Sequence, residues 1–412
     1  MLIAKTYKRG SDGLFVTVLT TDDGKRVPHY AKTKTESREK AEAAWLRMKH
    51  GGPLKDSTDT LAEWVDQWME LTLKANNQKR AIKPTTLAWY QRMIRDHIRA
   101  KDDETTPGKE PNPWAVRLGQ TKLAKLNWKH VQVWVNEMEN QDYDARTVHA
   151  CYSLLKRILA AAVPDEIPHN PCNDRKVSLA PKVKVEKVPM SLEEQGDFFT
   201  ASDQRPLAPL YRTMFMLGLR RGEVLGLKWD DIERKHKDGP VINIQRTLAT
   251  WKLEGKERVT DFLTPKTEKS KRTLPLVPEL LALLDRHHAA QERFRRRPLG
   301  HGKVVRVRHW EDNGLIFPSD RGTPMCERNL NRDMAKVIKL AGLKGNFHPH
   351  LMRHGTASEM LRRGASLKEV SEFLGHSQIS ITADLYGHVI AEQKRTAAET
   401  MAYLAKLGGK AA

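Results

Sequence analysis

The stretch from His348 to His388, HPHLMRHGTASEMLRRGASLKEVSEFLGHSQISITADLYGH, decides how the rest of the chain is read. His350 and Arg353 are three residues apart, so a helix through them puts an imidazole and a guanidinium on one face. Gly364 interrupts the helical pattern, Ser366 and Glu369 have capping-box spacing, and Leu374-Gly375-His376 closes a second short helix. Tyr386 follows with Gly387-His388 behind it. The feature to explain is a tyrosine placed beside arginine and histidine. Each residue alone has a plainer reading: Tyr386 as a core tyrosine closing a helix, and His354 and His388 as supporting or capping groups. The spacing His348-x-His350-x-x-x-His354 admits a metal, but Arg353 would sit beside the cation and no thiolate or carboxylate completes the set.

The whole chain has 412 residues, enough for two or three domains. Its 71 Lys and Arg against 51 Asp and Glu leave a net charge of +20, dispersed along the sequence rather than gathered in a tail. Dispersed positive charge on a folded chain points to a long polyanion, and nucleic acid fits best. Cys151, Cys172 and Cys326 form no CxxC pair and read as free thiols of a reducing compartment. No apolar run is long enough to span a bilayer, and the N-terminus lacks the apolar core of a signal peptide. A cytoplasmic, chromosome-associated protein with no membrane partner is expected.

Upstream, the pattern predicts a multidomain, predominantly α protein. Residues 1–52 read as a small module of β-sheet plus one helix. Leu14 to Leu19 is one strand, Asp22-Asp23-Gly24-Lys25 a hairpin turn, Val27 to Ala31 the return, and Ala41, Ala44, Trp45 and Met48 line a helix. Gly51-Gly52-Pro53 breaks the pattern. Residues 58–165 read as an all-α domain. One helix has Leu61, Trp64, Val65, Trp68 and Leu71 on its inner face, and a second opens at Pro84 with Leu87, Trp89, Tyr90, Met93, Ile94 and Ile98. A polar loop covers about 101 to 114. Later helices carry Val131, Val133, Trp134, Val135 and Met138, then Thr147 to Val163. At helical spacing among aliphatics, the tryptophans read as core and not as base-stacking platforms. Residues 166–189 are rich in proline and read as an interdomain linker.

Ser191 and Glu194 form a capping box that opens a mixed α/β domain over 190–390, mainly α with a small antiparallel sheet. A helical run from Pro206 to Leu217 leads into Gly218-Leu219-Arg220-Arg221-Gly222-Glu223. Arg220 sits at a junction expected to be partly buried, where a guanidinium needs an anion, and Glu223 is the candidate. Strand patterns cover Pro240 to Ile244, Arg258 to Leu263 and Arg272 to Leu276. The turn Thr264 to Lys271 between the last two presents several ammonium groups. Helices are expected near 278 to 294 and 328 to 340, with a short strand at Leu315-Ile316-Phe317-Pro318. Residues 391–412 read as a tail helix, with Met401, Leu404 and Leu407 at helical spacing.

Displacing a DNA oxygen from phosphorus with a side chain requires a nucleophile, cations for the non-bridging oxygens, and an acid for the leaving oxygen. Arginine suits the second task because its planar fork stays charged. A tyrosine, with a pKa of about 10, needs neighbouring cations or a base to become a phenolate. Arg220, Arg353, His350 and His376 are candidates for that field, and Lys266 for the proton donor, with Lys269 and Lys271 as its rivals.

The same residues resemble the boxes of the tyrosine recombinases, the phage or lambda-type integrase family. GLRRGE at 218 to 223 resembles the segment of the first catalytic arginine, Arg220, and TPKT at 264 to 267 the turn of the catalytic lysine, Lys266. HLMRH at 350 to 354 is similar to the H-x-x-R box, giving His350 and Arg353. LGH at 374 to 376 gives His376, and Tyr386 stands where the family has its nucleophile. H-x-x-R alone is weak, whereas five boxes in order are specific. Leu351 departs from the acidic residue often found after the box histidine. The resemblance implies a covalent 3′-phosphotyrosine intermediate, strand exchange and religation with neither metal nor nucleotide cofactor. It also implies an arm-type DNA-binding module at 1–52, a core-binding domain at 58–165 and a catalytic domain at 190–390, the last two clamping the duplex. The implied partners are double-stranded DNA attachment sites, a self-associated tetramer joined through the tail helix, and a directionality or host DNA-bending factor. A DNA-binding regulator with a degenerate site and a type IB topoisomerase-like relaxing enzyme are the alternative functions.

Overall fold

The computed structural model describes residues 2–3, 6–10, 13–20, 26–49, 58–75, 82–99, 112–183, 190–264, 270–296, 310–345, 347–376, 378–380 and 382–383. The chain divides into two compact units, Met1–Lys184 with Lys252–Glu257, and Val185–Trp251 with Arg258–Ala412.

The first unit begins with the expected sheet and helix. Strand β3 (Phe15–Thr20) is central, pairing antiparallel with β1 (Leu2–Ile3), β2 (Tyr7–Lys8) and β4 (Arg26–Ala31). Helix α1 (Lys34–Lys49) packs Ala44 and Trp45 on Leu19 and Val27. Beneath it the buried Ser37 hydroxyl lies 2.9 Å from both Thr17 Oγ1 and the His29 carbonyl, with one proton to give to either.

Helices α2 (Leu61–Ala75), α3 (Pro84–Met93) with its π-helical continuation Ile94–Arg99, α4 (Pro113–Gly119), α5 (Trp128–Asn140) and α6 (Ala145–Ala160) enclose one apolar core. Trp64, Trp68, Trp114 and Trp134 are buried in it, as their helical spacing predicts. Two of the indoles also satisfy helix ends. Trp64 Nε1 donates to the Ile158 carbonyl at 3.1 Å, which also accepts from the Ala161 backbone N–H, and Trp134 Nε1 donates to that of His97 at 2.6 Å, both among the last carbonyls of their helices.

Two predicted core positions are solvent-facing. On α5 the buried set is Val131, Trp134, Val135 and Met138, the i, i+3, i+4, i+7 stripe, and Val133 falls off it. On α2 Met69 is buried and Leu71 points outward for the same reason. Helix α4 lies where the sequence suggested the end of a loop. Ile167 and Cys172 belong to the helical core, and burial pushes the Cys151 and Cys172 thiols up to about 12, which removes them as nucleophiles.

In the second unit the Ser191/Glu194 capping box opens α7 (Leu192–Asp203) as expected. Helix α8 (Ala208–Met216) and the short α9 (Arg221–Leu225) follow. Strands β5 (Ile232–Glu233), β6 (Val241–Ile244) and, later in the chain, β9 (Arg272–Pro275) form one antiparallel sheet. Between them in sequence, β7 (Thr247–Lys252) and β8 (Arg258–Leu263) form a hairpin. Helices α10 (Pro278–Arg296), α11 (Glu327–Leu340), α12 (Pro349–Arg362) and α13 (Leu367–Leu374) complete the described part.

Leu315 to Pro318 is not the expected strand; Leu315 makes a single antiparallel bridge to Lys228. The side chains of α10 take the place of a ladder, with Gln291 Nε2 donating to the Leu315 carbonyl at 3.1 Å and His287 Nε2 2.8 Å from that of Ile316. The predicted tail helix and residues 265–269 of the predicted turn lie outside the described residues.

Trp134 combines complete burial with a hydrogen bond to the His97 carbonyl. Trp134→Ala is expected to cost the helical core about 3–5 kcal/mol, read by native-state hydrogen exchange of amides in α5 and α6. Protection unchanged within about 1 kcal/mol would contradict this packing.

Candidate active site

The site is built on two left-handed glycines and one carboxylate. Helix α8 stops at Gly218, whose φ of 57° suits glycine, and a Cβ there would lie 2.5 Å from Leu374 Cδ2. The chain turns at once into α9, preceded by Arg220. Glu223 reaches back so that Oε2 accepts from the Arg220 backbone N–H at 3.0 Å, while Oε1 accepts from Arg220 Nη1 at 2.6 Å. The junction therefore pairs Arg220 with Glu223, as the sequence suggested.

Two more guanidiniums converge on that carboxylate. Arg272, at the start of β9, donates from Nη2 to Glu223 Oε2 at 3.0 Å, and Arg353 of α12 brings Nη1 to 4.0 Å from the same oxygen. Burial alone would raise the Glu223 pKa, but Arg272, then Arg220 and Arg353, outweigh it and hold the group below the ordinary carboxylate range. Glu223 is thus an anion buried among three cations.

The same arginines grip the end of α13. Arg272 Nε donates to the Phe373 carbonyl at 2.8 Å, Arg353 Nη2 to Leu374 at 2.6 Å, and Arg220 Nη2 to Gly375 at 3.2 Å. These three consecutive carbonyls form the negative end of a helix closed by Gly375 at φ 68°, where cations are favoured. Arg353 Nη1 also donates to the Gly218 carbonyl at 2.8 Å, joining the two glycine turns. Side-chain exposure separates the three arginines: Arg220 retains 36%, Arg272 6% and Arg353 2%.

His376 follows the gripped turn. Its Nδ1 lies 2.8 Å from Thr382 Oγ1, and burial first, then Arg353, Arg220, His350 and Arg272, push its pKa down to about 4. It is therefore neutral near pH 7, beside a cationic cluster. His350, exposed near the start of α12, lies edge-on to His354 with ring centres 4.9 Å apart. Leu351, next to His350, is buried.

Of the sequence-predicted residues, Arg220 and Arg353 are thus brought together around Glu223, and His376 lies close enough for both guanidiniums and for His350 to bear on its ring. Lys266 and Tyr386 lie outside the described residues; Ser270 and Thr382 are described near them in sequence. Sequence reasoning passed over Arg272 and Thr382. A signal for Arg272 exists: strand alternation puts it on the same face as the buried Leu274, where a lone cation requires an anion. Chemically, three guanidiniums against one carboxylate leave a positive excess, with the fork of Arg220 partly open to solvent, suited to a phosphate diester.

Glu223→Ala strands the buried guanidiniums of Arg272 and Arg353 and is expected to lower stability by about 3–5 kcal/mol in urea unfolding; a loss below about 1 kcal/mol would contradict the arrangement. The Glu223 contribution is present above the ordinary carboxylate range and fades as pH falls through its lowered pKa. His376 acts with the same sign over a higher window. Its unfolded form takes up a proton near the usual pKa of about 6.5, while the native form resists until about 4, so stability falls as pH drops between them. NMR titration should show the His376 ring unprotonated from pH 8 to 5, and a midpoint near the usual histidine value would contradict its burial beside the arginines.

The description of the phage integrase family matches residues 193–393. A tyrosine recombinase XerC-like protein of Caldanaerobacter subterraneus subsp. tengcongensis is 29% identical over 397 residues, covering 94% of each chain. The ICEBs1 integrase of Bacillus subtilis is 27% identical, covering 68% of this chain and 72% of its own. Among solved structures, a fragment of the Tn1549 transposon integrase with transposon right end DNA superposes with a TM-score of 0.61 at 18% identity, covering 83% of this chain and 99% of that one. A lambda integrase dimer bound to a core site gives 0.54 at 16% identity, over 92% and 93%. The structural likenesses carry the multidomain integrase fold. Residues 193–393, which include those that gather around Glu223, belong to the phage integrase family, and the relative matched along nearly the whole chain is a tyrosine recombinase XerC-like protein.

Proposed function

We propose that this recombinase integrates or excises a mobile element by using Tyr386 to break and remake DNA strands. The phenolate oxygen attacks the scissile phosphorus, forming a 3′-phosphotyrosine and breaking the bond to the 5′ oxygen. That oxygen leaves as a hydroxyl with a proton from Lys266. A 5′-hydroxyl from the partner strand then attacks the phosphotyrosine, restoring a phosphodiester and returning the tyrosine. Each phosphoester bond broken is matched by one formed, so religation needs no nucleotide cofactor, and the guanidiniums of Arg220 and Arg353 take the part of a metal at the phosphate oxygens.

Arg220 and Arg353 are assigned to the non-bridging oxygens, whose charge grows in the transition state. His376, neutral near pH 7, is assigned a hydrogen bond to one of those oxygens, and His350 a role in the phenol's proton transfer. The observation that carries this reading is the convergence of Arg220 and Arg353, from segments far apart in sequence, on Glu223 and on the 374–375 carbonyls that lead into His376.

The proposed substrate is a double-stranded attachment site. Residues 1–52 serve as an arm-type DNA-binding module, 58–165 as the core-binding domain, 166–189 as the linker, 190–390 as the catalytic domain and 391–412 as a tail helix exchanged between protomers. Lambda integrase has been solved as a tetramer on a Holliday junction, and a tetramer on paired sites is the corresponding assembly here. A directionality or host DNA-bending factor is a further partner in this scheme, and the cytoplasm, on the chromosome, is the compartment.

The test uses a duplex selected from a random library by binding to the protein, then nicked so that the cleaved end diffuses away. The native protein is expected to form a covalent adduct in EDTA, and Tyr386→Phe to bind the duplex without forming it. A binding regulator with a degenerate site would give no adduct from the native protein, and an adduct undiminished by Tyr386→Phe would remove the assigned nucleophile.

A further inference from the structure

We propose that Arg272 is a positioning residue for strand cleavage: it neutralises Glu223 from behind so that the charges of Arg220 and Arg353 remain available to the scissile phosphate. The proposal rests on the reading of Arg220 and Arg353 as phosphate ligands.

Each of the three Arg272 side-chain nitrogens meets an acceptor of the protein itself. Nε donates to the Phe373 carbonyl at 2.8 Å, Nη1 to the Ser270 carbonyl at 3.2 Å, and Nη2 to Glu223 Oε2 at 3.0 Å. Because Nε and both Nη atoms already donate within the protein, the guanidinium acts through these neighbours. Its place is fixed by β9, where Arg272 pairs with Ile244 of β6.

The three acceptors belong to three parts of the site. Glu223 holds Arg220, the turn at Phe373 leads to His376, and Ser270 borders the 265–269 segment that contains Lys266. Arg272 thereby ties the carboxylate, the histidine turn and the flank of the lysine turn to one rigid strand.

Electrostatics gives the fork a second consequence. Glu223 is a full negative charge against which Arg220 lies at 2.6 Å and Arg353 at 4.0 Å. With Arg272 on Oε2, that charge is balanced by a cation facing away from solvent. Without it, the carboxylate draws on the two remaining arginines and weakens their attraction for an incoming diester. Lysine at 272 would restore the charge but not the three-way fork.

Single-turnover cleavage of the selected nicked duplex tests this with Arg272→Met and Arg272→Lys, each on the natural diester and on a scissile methylphosphonate, which lacks the negative charge. First-order constants are compared, because unfolded protein lowers amplitude and not rate. Arg272→Met is expected to slow diester cleavage about 100-fold with DNA affinity changed less than about threefold, and Arg272→Lys to recover part of the rate. On the methylphosphonate the Arg272→Met defect should shrink below about tenfold. A defect of equal size on both substrates would make Arg272 a merely structural residue, and a rate within about threefold of native on the diester would remove its role altogether. Should Arg272→Met give no reacting fraction, the same ratio is read from Arg272→Lys. A native protein that forms no adduct overturns the phosphotyrosine reading itself; a native protein that reacts alongside unaffected Arg272 variants overturns only this inference.

Discussion

The buried carboxylate of Glu223 is the interaction on which the catalytic half of the molecule depends. A lone anion at that depth is costly, and it is tolerated because Arg272 and Arg220 bond to it while Arg353 stands at 4.0 Å. The arginines need the arrangement as much as the carboxylate does. Their remaining donors fall on the Gly218, Ser270, Phe373, Leu374 and Gly375 carbonyls, at chain turns and a helix end. Charge pairing and helix termination are solved together.

That sharing explains why such short elements occur around the site. Helix α9 has room for little beyond presenting Glu223 to the N–H of Arg220, and α13 is closed by a left-handed glycine that exposes its last carbonyls. Longer, regular helices would bury those carbonyls in their own ladders and leave the guanidiniums unpaired. A helix end also presents a fixed dipole, which needs no reorganisation when charge develops on a bound phosphate.

Much of this was legible in the sequence because its signals are local. The Ser191/Glu194 and Ser366/Glu369 capping boxes, the β3–β4 hairpin, the tryptophan core and the Arg220–Glu223 pairing all follow from spacings of a few residues. Reading failed where long-range contacts decide. Val133 and Leu71 look like core residues until the stripe facing the other helices is fixed. Leu315 to Pro318 has strand composition, but side chains from α10 satisfy its carbonyls. Arg272 went unnoticed because its partners lie 49 and 101 residues away. The order of the boxes named the family, and the carboxylate beneath them emerged only in three dimensions.

The most direct measurement is a crystal structure of the full chain bound to an intact duplex site, with Tyr386→Phe to halt the reaction. The account predicts Arg220 and Arg353 donating to the non-bridging oxygens of one phosphate, residue 386 facing that phosphorus, and Arg272 still bonded to Glu223 and Phe373. A phosphate held by Arg272 in place of Arg220 and Arg353, or residue 386 directed away from the DNA, would contradict it.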